Sequence, residues 1–177
     1  MPGPTFTLIQ GSTITSNQSS IVLGSGGTIP QTFTDLVIMA STRTNRSNAT
    51  FDDLYIGLNG SFTGNVRVLY GAIGATPAVQ GYTAGAACAG IATAADGALS
   101  NVFGNAYIHI PNYTQAINHP FNVQAGTANN SGTAGLGLSA INWTNASQAV
   151  TSITLEPGDG SVFIAGSSAF LYGINNS

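Results

Sequence analysis

The chain has 177 residues, enough for one domain with a real hydrophobic core. Charged residues make up only 5 %, lysine is absent, and three arginines stand against six acids for a net charge of −3. Three cations cannot build the basic surface that nucleic acid requires, so no nucleic-acid partner is expected. Solubility falls to Ser, Thr, Asn, Gln and Gly. So little charge weakens the usual protection against association, and a chain that packs against other protein is expected. The opening Met1-Pro2-Gly3-Pro4 has neither a positive n-region nor an apolar h-region, and no apolar run reaches the length of a membrane span. A signal peptide and a membrane partner are therefore not expected. The N-x-S/T triplets, at Asn45, Asn48 and Asn142 among others, read as chance matches in an Asn/Ser/Thr-rich chain.

In chain order, Thr5 to Ile9 predicts a short strand with Phe6 and Leu8 inward. Ser20 to Leu23 predicts a second, closed by Gly24-Ser25-Gly26-Gly27. The strongest strand signal lies between Ile29 and Gly60. Phe33 to Ser41 is apolar on both parities, which suits a strand covered on both sides or one in the middle of a sandwich. Thr42 to Asn48 reads as a loop and carries Arg43 and Arg46. Leu54, Ile56 and Leu58 then share one parity of a half-buried strand, and Asn59-Gly60 is a hairpin-turn signal. Asn65 to Tyr70 is the next strand, with Arg67 and Leu69 on the same side.

Residues 71–103 break the pattern. They are rich in Ala, Gly and Thr, and glycines at 85, 90 and 97 interrupt any helix. This Ala/Gly-rich insertion is expected to be an excursion from the sandwich, or an arm that touches a neighbour. Strands resume at Asn105 to Ile110, with Ala106, Ile108 and Ile110 on one face, and Pro111 ends that ladder. Pro120 to Gln124 reads as short and weak. Ala134 to Trp143 sets Leu136, Leu138 and Ala140 against Gly135, Gly137 and Ser139, and the small side suggests close approach of another backbone or sheet. Val150 to Leu155 and Ala169 to Ile174 complete the set, with a short strand expected at Ser161 to Ala165. Many short strands and no amphipathic helix predict an all-β protein, a single β-sandwich domain over residues 1–177, jelly-roll-like.

Chemistry is sparse. His109 and His119 are ten apart in the sequence with no cysteine or acid cluster beside them, so no metal site is expected. Asp52 and Asp53 are adjacent, and in a strand their side chains diverge, unlike a glycosidase pair. Arg43, Arg46, Asp52 and Asp53 read instead as ion pairs across a loop or as subunit contacts. No serine sits in a G-x-S-x-G elbow, and the Gly24 to Gly27 loop lacks a phosphate-binding lysine. Asp159 lacks the other acids of a calcium loop. Cys88 is the one cysteine, so no intrachain disulfide forms, and it reads as a small apolar residue. Trp143, flanked by Asn142 and Asn145, is the candidate glycan contact, against a core tryptophan as the ordinary reading. Neither an enzyme nor a cofactor is expected.

Several segments together resemble a group of small tailed-phage virion proteins: T-F-T-L-I-Q at the start, I-P-Q-T-F-T-D-L-V with its Arg-bearing loop, R-V-L-Y-G, I-P-N-Y, I-T-L-x-P-G-D-G, and the terminal F-L-Y-G-I. The resemblance spans most of the chain apart from the Ala/Gly-rich insertion. It implies a head decoration (cement) protein, a jelly-roll module on the outer surface of the virion capsid. It also implies the major capsid protein and further copies of the chain, as a homotrimer, for partners. The alternative, from a different class, is a tail-fibre or adsorption module that binds host-surface glycan through Trp143.

Overall fold

The computed structural model describes residues 5–72, 78–83, 93–128, 134–145, 147–158 and 160–175. Met1 to Pro4, Cys88, Asp159 and part of the Ala/Gly-rich insertion lie outside them. The described residues form thirteen strands: β1 (Phe6–Thr13), β2 (Ile21–Leu23), β3 (Asp35–Thr42), β4 (Phe51–Asp52), β5 (Leu54–Leu58), β6 (Gly64–Ala72), β7 (Ala78–Thr83), β8 (Thr93–Ala94), β9 (Gly104–Pro111), β10 (His119–Ala128), β11 (Ala134–Trp143), β12 (Ile153–Pro157) and β13 (Ser168–Ile174). No helix occurs among them, and the all-β sandwich is the architecture observed.

Eight strands make one antiparallel sheet in the order β1-β13-β3-β9-β10-β11-β6-β7, and β2-β12-β5 make a second. β4 and β8 form a two-stranded ribbon. The core lies between the two larger sheets. Leu36 and Ile38 of β3, Ile108 and Ile110 of β9, Phe121 and Val123 of β10, and Leu171 of β13 face Ile21, Leu23, Leu54, Ile56, Leu58, Ile153 and Leu155 of the smaller sheet. Each such side chain, fully buried, contributes roughly 1.5–3 kcal/mol.

The turn signals act as the residue chemistry dictates. Asn59 and Gly60 both adopt positive φ, 52° and 75°, and Leu58 and Ser61 exchange both backbone hydrogen bonds across them. The Asn59 carboxamide then accepts from the Thr151 and Ser152 backbone N–H groups at 2.8 and 3.2 Å and donates to the Ala149 carbonyl at 2.8 Å, tying this turn to the approach of β12.

Four expectations need correction. Ser161 to Ala165 is not a strand; only Phe163 makes isolated bridges there, to Gln18 and Thr44. Phe6 and Leu8 point outward, at 44 % and 55 % exposure. The β1–β13 register slips between Leu8 and Gln10, and Ile9, at that slip, packs on the core instead. The weak segment at Pro120 to Gln124 belongs to a ten-residue strand. Its ladder to β9 begins at Asn122, so the missing N–H of Pro120 removes nothing from that ladder. The described residues of the 71–103 insertion are part of the fold and do not project from it. β7 extends the large sheet, β8 pairs with β4, and Ala94, Ala95 and Ala98 are buried. Small residues are needed there because backbone passes close by: a Cβ on Gly97 would sit 2.7 Å from the Ala49 carbonyl oxygen, and one on Gly104 2.7 Å from the Ala94 nitrogen.

Candidate binding face

The charged residues singled out by the sequence turn inward. Arg43 lies just beyond β3 and is 7 % exposed. Its guanidinium donates to the carbonyl oxygens of Leu99, Val102, Asp96 and Ala98, at 2.5 to 3.2 Å. A planar fork with five N–H donors suits four converging carbonyls as an ammonium could not. Asp52 is fully buried and accepts from Thr44 Oγ1 at 2.9 Å, Ser161 Oγ at 2.6 Å and the Asp53 backbone N–H at 2.8 Å. Arg46 reaches it at 3.1 Å from a half-exposed position. The expected ion pair across the loop is therefore Arg46–Asp52. Arg43 and Asp52 do not face a neighbouring subunit, because their polar atoms are consumed inside the chain. Asp53 is half-buried beside them, its backbone carbonyl accepting from the Gly158 N–H.

Trp143 is likewise internal. Its ring is fully buried and donates from Nε1 to the Ser61 carbonyl at 3.1 Å. His119 stacks on it with ring centroids 5.8 Å apart. A ring enclosed on this scale cannot serve as a glycan platform, which corrects the candidate contact. Burial pushes the His119 pKa down from its ordinary value, with a hydrogen bond to the Gln148 carbonyl opposing the shift. His109 is a surface residue of β9, and its Nε2 lies 3.2 Å from Asp35 Oδ2. Asp35 Oδ1 accepts the Asn112 backbone N–H at 3.0 Å, fixing the start of the connection to β10. Among the described residues, no three of His, Cys, Asp and Glu come together as metal ligands would.

What remains is the outer face of the large sheet, the side away from the core. An antiparallel sheet with one solvated face ordinarily shows polar residues there. Here the cross-strand row runs Phe170, Met39, Tyr107, Gln124, Leu138, Leu69, from β13 to β6. Met39, Leu69 and Leu138 are 44 %, 44 % and 53 % exposed, and Leu136, one row further, is 66 % exposed. A hollow of about 670 Å³ opens between Met39, Tyr107, Gln124, Leu136 and Leu138. The neighbouring row is Tyr172, Val37, His109, Asn122, Ala140, Arg67, of which Val37 is fully buried. Beside it a trough of about 510 Å³ is lined by Arg67, Asn122, Asn142, Pro111 and Pro120. Contiguous exposed apolar surface of this kind is the ordinary mark of contact with protein, membrane or ligand.

The sequence points to this face on β3, where Val37 and Met39 make the second parity apolar, but not on the neighbouring strands. On β11 the buried parity is the small one, Gly135, Gly137 and Ser139, while Leu136 and Leu138 look outward. The usable signal was Arg67, which shares its parity with Leu69 and pairs with Ala140 in the ladder. A charge on that side of β6 marks it as the solvent side, and the register then carries the assignment to Leu138. No family model matches the chain, and no curated protein or solved structure matches it.

Proposed function

We propose that the chain is a structural virion protein that decorates the outside of a phage capsid and stabilises it by bridging neighbouring capsid subunits. Its partners in this reading are the major capsid protein and further copies of itself. The observation that supports it is the outer face of the large sheet, a broad, nearly uncharged surface suited to protein contact. The sequence resemblance supplies the capsid. The composition suits dense packing, and many weak contacts on a lattice add up to strong overall attachment.

The alternative, a tail-fibre or adsorption module, loses its candidate glycan platform with the burial of Trp143. The decoration reading is tested by adding purified protein to undecorated heads. Saturable binding in a simple ratio to the capsid subunit, with a raised unfolding temperature of the heads, is the expected result. Heads that bind none of it, or bind it without gaining stability, would overturn the reading.

A further inference from the structure

We infer that the outer face of the large sheet is closed by a second copy of this chain, face to face about a two-fold axis running along the strands between β9 and β10. The inference rests on reading this face as a protein-docking surface, and it does not require the capsid.

Size is the first argument. With strands about 4.8 Å apart and a rise of about 3.4 Å per residue, the six strands from β13 to β6 over seven or eight residues present roughly 700 Å². A stable pairwise interface needs about 800 Å² from each partner, so one copy offers close to what another requires.

Self-complementarity is the second. A two-fold axis along the strands keeps each cross-strand row opposite itself and reverses the strand order, so a residue and its mate exchange roles in the two copies. In the apolar row, Phe170 then meets Leu69 and Met39 meets Leu138, while Tyr107 meets Gln124, a hydroxyl against a carboxamide. In the neighbouring row Tyr172 meets Arg67, an aromatic ring against the one arginine of the face, and His109 meets Asn122, while Val37, fully buried, leaves Ala140 facing the groups around it. No like charges are brought together in either row. Aligned sheets keep their strands within about 30° of each other, so pairs near the axis hold their register and those at the rim drift. A two-fold pair also carries two copies of every other surface, which gives a bridging protein its two attachment points by symmetry.

The test is sedimentation across a concentration series, joined to disulfide trapping in a Cys88→Ala background. The wild-type chain should sediment as a dimer, and Leu138→Asp as a monomer with unchanged thermal unfolding when both are dilute. A mixture of Met39→Cys and Leu138→Cys chains should cross-link to each other faster than either does to itself. A monomer at every concentration, a trimer, the state the resemblance implies, or self-pairs that form as fast as mixed pairs would overturn the inference. A dimer that ignores undecorated heads would leave this inference standing and defeat the capsid reading alone.

Discussion

The cluster around Arg43 and Asp52 and the outer face of the large sheet invert the usual arrangement. In the first, charged groups are buried and saturated by the chain's own carbonyls and hydroxyls. In the second, large apolar side chains stand in solvent. A protein with three cations has little charge to spend on solubility, and it buries one of them. The difference teaches which part of the molecule is structural and which is free to act. Buried charge fixes the 96–102 segment against β3, while the exposed apolar rows contribute little to the isolated fold and are available to a partner.

The comparison breaks most visibly at Arg43. Arg43→Ala leaves the Asp96, Ala98 and Val102 carbonyls without their donor, while Leu99 keeps the Val102 N–H, and a loss of about 3–5 kcal/mol in denaturant unfolding is expected. A loss under about 1 kcal/mol would mean that solvent already satisfies those carbonyls, and the structural half of the comparison would fail. Asp52→Asn comes next. An amide presents a donor where hydroxyl and backbone donors converge, so about 2 kcal/mol is expected. Arg46→Ala should lose under about 1 kcal/mol, because the pair is half-exposed on the arginine side. Equal effects at Asp52 and Arg46 would show the ion pair, rather than the hydroxyl contacts, to be what matters.

His119 sharpens the contrast through pH. Its folded pKa lies below the ordinary 6.5, so the unfolded chain takes up the proton first on acidification. The stability this residue confers is complete above that value and is lost as pH falls through the folded pKa. The wild type should therefore lose more stability than His119→Gln between neutral and mildly acidic pH, read from unfolding midpoints in a pH series. Parallel curves for the two proteins would contradict this. The smallest effect belongs to the outer face: Leu138→Ser should change the stability of dilute protein by less than about 0.5 kcal/mol. A large loss would mean that Leu138 is part of the core packing after all.

Much of the fold was legible where local chemistry decides it. Asn59-Gly60 named its own turn, and the alternation of Ala106, Ile108 and Ile110 named the buried side of β9. What period-two alternation cannot state is which side faces the core when both are apolar. On β11 the small side, Gly135, Gly137 and Ser139, suggests close approach of another backbone or sheet, and it is the buried one; the pattern assigns nothing to the leucines opposite. At β1 the irregularity beside Ile9 redirected Phe6 and Leu8, and nothing local announces such a slip. The role of Arg43 was hidden for another reason: its acceptors lie 53 to 59 residues further along the chain. Carbonyl oxygens belong to every residue, so no residue type marks them. Trp143 is buried, as the ordinary reading of a core tryptophan has it, and its flanking asparagines carry no such signal; its N–H partner, Ser61, is 82 residues away.

The most direct measurement is hydroxyl-radical footprinting of the purified protein, dilute and concentrated, read residue by residue by mass spectrometry. Met39, Tyr107, Leu136 and Leu138 are expected to be labelled in dilute solution and to become protected together on concentration. Leu99 and Ile117, exposed in connections away from the sheet, should stay labelled throughout. Unchanged labelling of the four, or protection confined to Leu99 and Ile117, would contradict the claim that the outer face is where this protein meets another.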